Sequence, residues 1–269
     1  MSTALSSPDL LATIVAATRH VVAVRSWQVP VDVLEKRAGA AHPRGDAFER
    51  ALRETPAPRI IAECKRRSPS RGILRADYEP AAHARAYEAA GAAAISVLTE
   101  PTFFDGALEH LRAVRSAVQV PLLRKDFIVA EYQLVEAVAN GADAVLLIVS
   151  ALGDHELRQL LVRAYALGLA CLVEVHDAAE ITRAVEAGAR VVGVNSRNLR
   201  TLAVDMQVLD TAATLLPESV TAVAESGITS TDDLTRLSAA GYGAFLVGER
   251  LITQPDPGAA LKALRGVAA

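Results

Sequence analysis

Hydrophobic and polar positions along the chain follow a repeating pattern. A stretch with helical spacing ends in Gly-Ala or a similar pair, and a run of aliphatic and β-branched residues follows, as in "YEAAGAAAISVL", "AVANGADAVLLI", "AVEAGARVVGVN" and "LSAAGYGAFLVG". The runs lack polar alternation, which is typical of parallel strands buried on both faces. The glycines stand where a helix ends and a left-handed residue is needed. They are Gly91, Gly141, Gly168, Gly188 and Gly241.

The pattern predicts eight strands with room for a helix between each pair. They are Ile60–Lys65, Ala94–Leu98, Pro121–Lys125, Ala144–Ile148, Ala170–Val175, Val191–Asn195, Thr221–Glu225 and Ala244–Gly248. Repeated βα units of this number favour an α/β fold, the (β/α)8 TIM barrel. A doubly wound sheet is the alternative, but no G-x-G-x-x-G motif follows the first strand.

Helical spacing over Leu10–Trp27 predicts an amphipathic helix before the barrel. We therefore expect an N-terminal helical extension over residues 1–50 and a catalytic barrel over residues 51–269. The segment is interrupted by Arg19, His20 and Arg25, so neither a signal peptide nor a membrane span is expected.

Composition and charge narrow the range of partners. The chain has a net charge of -3, only 4% aromatic residues and no long basic run, so nucleic acid is not an expected partner. The two cysteines, Cys64 and Cys171, lie in apolar runs. Buried free thiols fit a reducing compartment, and we expect a cytoplasmic protein without a membrane partner.

Polar residues recur at the C-terminal ends of the predicted strands. In a barrel these ends meet at one rim, where functional groups gather. The rim residues are Glu63, Lys65, Lys125, Glu174, Asn195, Arg197 and Glu225. Each alone reads most simply as a solvated loop residue, but together they repeat at one position while the strand interiors stay apolar. Lysines and carboxylates that pair in a partly dry site shift each other's pKa values, which favours general acid–base chemistry.

The loops after the seventh and eighth strands predict a phosphate site. They read "ESGITS" and "VGERL", in which Ser226, Gly227 and Gly248 allow close approach of backbone N–H groups. Ser68 in "KRRSPS" adds a donor from the first loop, and Arg250 stands where a smaller residue is expected. The alternative is that the two glycines serve only as turn residues.

The triplet in "LLRKDF" splits between two faces of the third strand. Because side chains alternate along a strand, Leu123 and Lys125 share the inward face, whereas Arg124 and Asp126 point outward with a structural role. No histidine pair shows H-x-x-x-H or H-E-x-x-H spacing, so no metal site is expected. His176, which follows the fifth strand, is interpreted as a loop histidine.

Seven blocks carry a family resemblance. In order, from about Arg59 to the C-terminus, they are "IAECKRRSPSRG", "SVLTEPTFFDGALEHLRAVR", "VPLLRKDFIVAEYQLVEAVANGADAVLLI", "LVEVH", "GVNSRNL", "VAESGI" and "FLVGERL". Together they resemble indole-3-glycerol phosphate synthase of tryptophan biosynthesis. The resemblance implies a barrel whose N-terminal extension covers the catalytic mouth, and a carbon–carbon carboxy-lyase that needs no metal or organic cofactor.

The implied substrate is a phosphosugar anthranilate, 1-(2-carboxyphenylamino)-1-deoxyribulose 5-phosphate. The implied products are indole-3-glycerol phosphate, CO2 and water. For the assembly state we expect a monomer or a weak homodimer.

The resemblance also implies roles for individual residues. Lys125 is the general acid that protonates the substrate carbonyl, Glu174 acts in the later dehydration, and Lys65 binds the substrate carboxylate or serves as a second acid. The implied positioning residues of the rim are Glu63, Asn195, Arg197 and Glu225. The implied binding residues are Phe104 and Phe127 for the anthranilate ring, and Ser226, Gly227, Gly248 and Glu249 for the phosphate.

Three alternatives make different predictions. A different phosphosugar barrel, such as an isomerase, uses cysteine with aspartate or paired aspartates at the strand ends, where this chain has lysine and glutamate. A Schiff-base lyase would use Lys125 as a nucleophile. A non-catalytic ligand-binding barrel would be expected to lack a lysine or carboxylate of the rim.

Overall fold

The computed structural model describes residues 9–267, and in it eight parallel strands close into a barrel. The strands of the chain are β1 (Ile60–Cys64), β2 (Arg67–Ser68), β3 (Gly72–Ile73), β4 (Ala94–Leu98), β5 (Leu122–Lys125), β6 (Ala144–Ile148), β7 (Ala170–Val175), β8 (Val191–Asn195), β9 (Thr221–Glu225) and β10 (Ala244–Val247). The barrel order is β1, β10, β9, β8, β7, β6, β5 and β4, so each strand pairs with its neighbours along the chain. The predicted (β/α)8 barrel is confirmed.

Helices occupy the connections and the N-terminal segment. They are α1 (Leu10–Gln28), α2 (Val31–Ala38), α3 (Gly45–Glu54), α4 (Pro80–Ala89), α5 (Pro101–Phe104), α6 (Leu108–Ala117), α7 (Glu131–Ala139), α8 (Asp154–Ala166), α9 (Ala178–Ala187), α10 (Gln207–Ala212), α11 (Thr231–Ala239), α12 (Glu249–Ile252) and α13 (Pro257–Leu264). Short 3₁₀ helices span Val149–Ala151 and Ala213–Leu215. Among residues 9–267, none of the helices combines the length and the apolar character that a membrane span requires.

The predicted strand limits agree with the structure to within one residue. The first strand ends at Cys64 rather than Lys65, the third begins at Leu122 rather than Pro121, and the last ends at Val247. The repeated glycines adopt the left-handed conformation predicted for them, which lets each helix turn into the next strand. Their φ angles are 82° at Gly91, 85° at Gly141, 79° at Gly168, 94° at Gly188 and 109° at Gly241.

Side-chain alternation divides the apolar residues into two layers. One side of each strand packs on the surrounding helices, and both free cysteines, Cys64 and Cys171, are buried in that layer. The other side fills the barrel interior. Its members include Ile61, Leu123, Leu172, Val223 and Leu246. The residue two positions beyond each of these points to the same side, at the C-terminal end of the barrel.

The N-terminal segment contacts both ends of the barrel. Helix α3 lies under the N-terminal ends of the strands, where Phe48 and Leu52 are fully buried in the interior cluster and Arg53 donates to Thr221 Oγ1 at the start of β9. The division expected at residue 50 therefore falls inside α3.

Helix α1 lies at the opposite, C-terminal end. Leu11 and Ile14 of α1 are buried in the same cluster as Phe127 and pack near Leu199. Arg19 of α1 donates to the carbonyl of Val129 in the loop after β5. Residues of α1 thus lie at the C-terminal end of the barrel, and residues of α3 lie at its N-terminal end.

The outward charges of β5 form a buried ion-pair network. Arg124 is fully buried, and its guanidinium donates to Asp126 over 2.8 Å and to Glu136 of α7 over 2.9 Å. The predicted structural role of this pair of charges is confirmed. Since a buried guanidinium needs such partners, β5 is fixed to α7 directly behind Lys125.

Candidate active site

A cavity of about 530 Å³ opens at the C-terminal ends of the barrel strands. All residues that the sequence predicted for the site line this cavity. They are Glu63, Lys65, Ser68, Phe104, Lys125, Phe127, Glu174, Asn195, Arg197, Glu225, Ser226, Gly227, Gly248 and Glu249. The side chains meet because each strand delivers its polar residue one pleat beyond the apolar interior layer.

Lys125 stands between two buried carboxylates. It follows Leu123 on the inward face of β5, and its Nζ lies 3.0 Å from Glu174 Oε2 and 2.6 Å from Glu225 Oε2. The Lys125 side chain is 13% exposed, whereas each glutamate side chain is 2% exposed. The ammonium group is therefore held at the floor of the cavity by the charge-assisted hydrogen bonds that it donates to the carboxylates of β7 and β9.

The three groups shift each other's pKa values. Burial alone would lower the pKa of Lys125, but the carboxylates of Glu225, Glu174 and Glu63 together raise it. Burial also opposes ionisation of Glu174, yet Lys125 and His176 hold the pKa of this carboxyl well below its usual range. Lys125 is thus protonated and Glu174 ionised at neutral pH.

Glu225 behaves differently from Glu174. Burial raises its pKa, Lys125 opposes the rise, and the nearby negative charge of Glu174 adds to it, so that the pKa reaches about 7. Two carboxylates on one lysine therefore have different proton affinities, which suits a site that needs both an acid and a base.

Two glycines make room for the carboxylates. A Cβ on Gly193, the inward residue of β8, would overlap the Glu225 carboxylate. A Cβ on Gly248 would overlap the carboxylate of Glu63 on β1, which pairs with Lys65 directly after that strand. Gly248 is predicted from the sequence as a phosphate-loop residue, whereas no sequence signal marks Gly193.

The loop after β8 is ordered by its own polar groups. The backbone N–H of Arg197 donates to Asn195 Oδ1 over 2.9 Å, and the Arg197 guanidinium donates to the carbonyl of Leu202 over 3.0 Å. Leu202 adopts a φ of 64°, a conformation that this closed loop imposes on a non-glycine residue. The loop positions Arg197 along the cavity wall.

The neighbouring side of the cavity contains the predicted phosphate loops, which follow β9 and β10. Ser226 and Gly227 have successive positive φ angles of 67° and 73° after β9. Gly248 precedes α12, whose first amide groups have no acceptor within the helix.

Two arginines also line the cavity here: Arg250, which the sequence places at the edge of the phosphate loop, and Arg71, which the sequence did not assign to this region. Arg71 Nε lies 2.9 Å from Glu249 Oε1, and Arg250 Nε donates to the carbonyl of Thr229 over 3.1 Å. They add positive charge to the same side as the glycines. The position of Arg71 depends on how the loop after β1 folds back over the cavity, which the sequence pattern does not show.

An apolar wall faces the charged residues. Phe104 and Phe127 lie with ring centroids 6.2 Å apart and planes inclined by 38°. Leu146, Ile148 and Leu246 continue this wall beneath them. The arrangement offers a flat aromatic group a dry surface beside Lys125.

His176 lies in the loop between β7 and α9, as the sequence suggested, but its ring also contacts two carboxylates. Its Nδ1 lies 3.0 Å from Glu180 Oε2 and its Nε2 lies 3.5 Å from Glu174 Oε1, and the side chain is 15% exposed. Burial lowers its pKa, but the contacts with Glu174 and Glu180 raise it to about 10. The sequence signal for this contact is Glu180 itself, four residues later on α9.

Within residues 9–267, no group of three or more histidine, cysteine, aspartate or glutamate side chains is arranged to hold a metal ion. The cavity's polar residues pair instead among lysine, arginine and carboxylate, as the Lys125 and Lys65 contacts illustrate.

A family model described as indole-3-glycerol phosphate synthase matches residues 11–264. The chain belongs to the indole-3-glycerol phosphate synthase family. Proteins named indole-3-glycerol phosphate synthase in Parafrankia sp. and Mycolicibacterium smegmatis are both 49% identical to it, over 93% and 96% of this chain and 92% and 94% of theirs. One from Nocardioides sp. is 55% identical over 77% of this chain and 80% of its own. Indole-3-glycerol phosphate synthases thus match the extension as well as the barrel.

Solved structures with more distant sequences share the architecture. Thiamine phosphate pyrophosphorylase from Pyrococcus furiosus is similar with a TM-score of 0.61 and 18% identity, covering 81% of this chain and 96% of that one. N-acetylmannosamine-6-phosphate 2-epimerase from Clostridium perfringens is similar with a TM-score of 0.60 and 14% identity, covering 77% and 91%. At these identities the likeness concerns the fold, and the indole-3-glycerol phosphate synthase assignment depends on the closer relatives.

Proposed function

We propose that the chain catalyses ring closure, decarboxylation and dehydration of 1-(2-carboxyphenylamino)-1-deoxy-D-ribulose 5-phosphate in tryptophan biosynthesis. The products are indole-3-glycerol phosphate, CO2 and water. The observation that carries the proposal is the Lys125 ammonium held between Glu174 and Glu225 in a member of this family.

Ring closure requires an acid at the substrate ketone. The aromatic carbon that bears the carboxylate attacks the ketone carbon, and Lys125 donates a proton to the ketone oxygen as the new carbon–carbon bond forms. The raised pKa of Lys125 keeps this proton in place before the reaction. Departure of CO2 then restores the aromatic ring and leaves a hydroxyl group on the new five-membered ring.

Dehydration requires an acid and a base on different sides of the intermediate. The hydroxyl leaves as water with a proton from Lys65, while Glu174, held ionised, accepts the proton from the adjacent ring carbon. Lys65, directly after β1, is the second candidate acid and a partner for the substrate carboxylate. Positioned acids and bases of this kind each contribute about 10²–10⁴-fold.

The remaining cavity residues bind the two ends of the substrate. Phe104 and Phe127 supply the apolar wall for the anthranilate ring. The phosphate takes the side of Ser226, Gly227 and Gly248, where backbone amides and a helix start favour an anion. The added charges there belong to Arg71 and Arg250. This leaves the ketone beside Lys125 in the middle of the cavity.

The pKa of Lys125 argues against a Schiff-base lyase. A lysine nucleophile must lose its proton, so such enzymes lower the pKa of that lysine. Here the carboxylates of Glu174 and Glu225 raise the pKa of Lys125. An acid role agrees with this direction, whereas a nucleophilic role opposes it.

The direct test is conversion of the proposed substrate by the purified full-length chain. We expect the growth of indole absorbance, with one CO2 released for each indole formed. The matched control is the same compound with its ketone reduced to an alcohol, which should bind and compete without giving an indole. Binding of both compounds with no product from either would exclude the proposed reaction, and an isomeric product of unchanged mass would favour the isomerase alternative.

A further inference from the structure

His176 connects the catalytic glutamate to a carboxylate outside the cavity. It follows β7 directly, so that its ring lies over the end of the strand that carries Glu174. Its Nε2 is 3.5 Å from Glu174 Oε1, and its Nδ1 is 3.0 Å from Glu180 Oε2 on α9. The backbone N–H of His176 donates to the same Glu180 oxygen over 2.8 Å. Its position is therefore fixed from two sides.

Both ring nitrogens of His176 face carboxylate oxygens. An ionised carboxylate only accepts hydrogen bonds, so each nitrogen must carry a proton for both contacts to be favourable. The doubly protonated ring is a cation, and Glu180 is the anion that favours it from the side away from the cavity.

His176 distinguishes the two glutamates that share Lys125. Glu174 meets Lys125 through Oε2 and His176 through Oε1, so cations contact both of its oxygens. Glu225 meets Lys125 through Oε2 alone. Neither second oxygen has a hydrogen-bond partner among the described residues, but Oε1 of Glu174 forms an ion pair with His176, whereas Oε1 of Glu225 pairs with no cation there. The two carboxylates therefore differ in the charge next to their second oxygen, because His176 lies beside that of Glu174.

We propose that His176 is a positioning residue whose imidazolium ring keeps Glu174 oriented and ionised, and thereby makes Glu174 the base and Glu225 the proton-holding member of the pair. The inference rests on the proposed function, because it assigns the roles within that reaction. His176 does not itself line the cavity, so it acts through Glu174.

The other charged groups near this end of β7 are engaged elsewhere. Arg183 of α9 donates to Asp154 of α8 over 2.6 Å and to the carbonyl of Leu152 over 2.7 Å. Asp177 accepts from the backbone N–H of Glu180 at the start of α9. Across the barrel, Lys125 contacts the carboxylate of Glu174 on its other oxygen. Glu174 and Glu180 are thus the two charged groups in contact with the ring, in the part of the chain that the structure describes.

The first test compares pH profiles of kcat for wild type and His176→Asn. Loss of the cation raises the pKa of Glu174, so the acidic limb should move upward by about one to two pH units. KM should change less than about threefold, which corresponds to about 0.65 kcal/mol, since substrate does not reach His176. Glu180→Gln, which removes the anion behind the ring, should shift the limb in the same direction by less.

A double variant separates this role from general damage. Because Glu180 acts through His176, His176→Asn combined with Glu180→Gln should shift the limb no further than His176→Asn alone. A His176→Asn profile that superimposes on that of wild type would overturn the proposal, as would a uniform loss of kcat with no shift of the limb.

Nuclear magnetic resonance tests the inference without turnover. In the wild-type chain, the ¹⁵N signals of His176 should remain those of the doubly protonated ring up to at least about pH 8, and the ¹³C carboxyl signal of Glu174 should show no titration near neutral pH. A His176 ring that titrates at or below the ordinary histidine value of 6.5 would overturn the proposal. Failure of substrate conversion alone would count against the proposed function, while this readout would still decide the role of His176.

Discussion

Glu174 and Glu225 are the same residue type on the same lysine, yet their surroundings give them opposite tendencies. The pKa of Glu174 lies well below its usual range because Lys125 and His176 oppose the effect of burial. The pKa of Glu225 rises to about 7 because burial and the charge of Glu174 outweigh the effect of Lys125. The environment of each oxygen, and not the residue type, decides which one takes or gives a proton.

This difference predicts opposite effects of two isosteric substitutions on stability. Folded wild type retains the Glu225 proton up to about pH 7, whereas the unfolded chain releases it near 4.5, so wild-type stability falls as the pH rises through that window. As the pH rises from about 5 to about 8, the free energy of unfolding of Glu225→Gln should therefore increase by about 1–3 kcal/mol relative to that of wild type. Urea unfolding at a series of pH values measures this change.

Glu174→Gln is the matched control with the opposite sign. Because the pKa of Glu174 is lowered in the folded state, its stabilising contribution is present above the ordinary value of 4.5 and is lost as the pH falls. The variant should be less stable than wild type near neutral pH, and the deficit should narrow in acid. Parallel pH trends for the two variants would show that the two carboxylates do not differ as described.

For individual residues, the sequence predicted which side chains point into the barrel but not which groups surround them. Alternation along β5 separates Lys125 from Arg124 and Asp126, and the contacts agree. Alternation along one strand says nothing about which side chains lie opposite on the next. His176 contacts Glu180, four residues later on α9, and Glu174, two residues earlier on β7, so the sequence signal for this ring was local and was not recognised.

Among the secondary-structure elements, β8 makes room for the site because its central inward residue, Gly193, has no side chain. Its inward positions are Val191, Gly193 and Asn195, and the glycine leaves the space that the Glu225 carboxylate occupies. A larger residue there would push Glu225 away from Lys125 without altering the hydrogen bonds between the strands. The strand therefore contributes to the active site through an absent side chain.

We expect Gly193→Ala to reduce kcat by about tenfold or more, because displacement of a positioned charge changes the acid–base set. Gly243→Ala, just before β10, is the control, since a Cβ there would meet no atom closer than 3.7 Å. Steady-state kinetics and thermal unfolding should show a loss of turnover in the first variant and little change in the second. Equal activity of both variants would contradict the packing explanation.

The elements themselves were predictable because their signals are local. Continuous apolar runs between glycine punctuation gave the eight barrel strands to within one residue. The hairpin of β2 and β3 was not predicted, because its two strands are two residues each and carry no apolar run. The ion-paired anchor from Arg124 to Glu136 likewise depends on the contact between a strand and a helix that follows it.

In the whole molecule, the N-terminal segment contributes to both ends of the barrel. Phe48 and Leu52 of α3 fill its base, while Leu11 and Ile14 of α1 pack at the catalytic end near Phe127. Helical spacing predicted the first helix, but amphipathic spacing does not specify the surface on which a helix packs. A division of the chain at residue 50 thus separates parts of one helix, α3.

The position of α1 predicts that its loss from the barrel weakens substrate binding. Ile14→Asp places a charge in a buried apolar contact, so α1 should detach and the wall around Phe127 should loosen. We expect kcat/KM to fall by about tenfold or more, and the fluorescence anisotropy of Trp27, the single tryptophan of the chain, to decrease. Val24→Asp, on the exposed side of the same helix, is the control and should change neither quantity.

If the Lys125 ammonium is the acid for indole formation, its removal in Lys125→Ala should slow the chemical step in a single-turnover measurement. With substrate bound and the fold verified by circular dichroism, we expect indole formation to slow by at least about 10²-fold. Lys36→Ala, which removes an exposed lysine of α2, should form indole at the wild-type rate. The acid role of Lys125 would be wrong if Lys125→Ala formed indole at nearly the wild-type rate. It would also be wrong if borohydride trapped a covalent adduct of substrate on Lys125 of the wild-type chain.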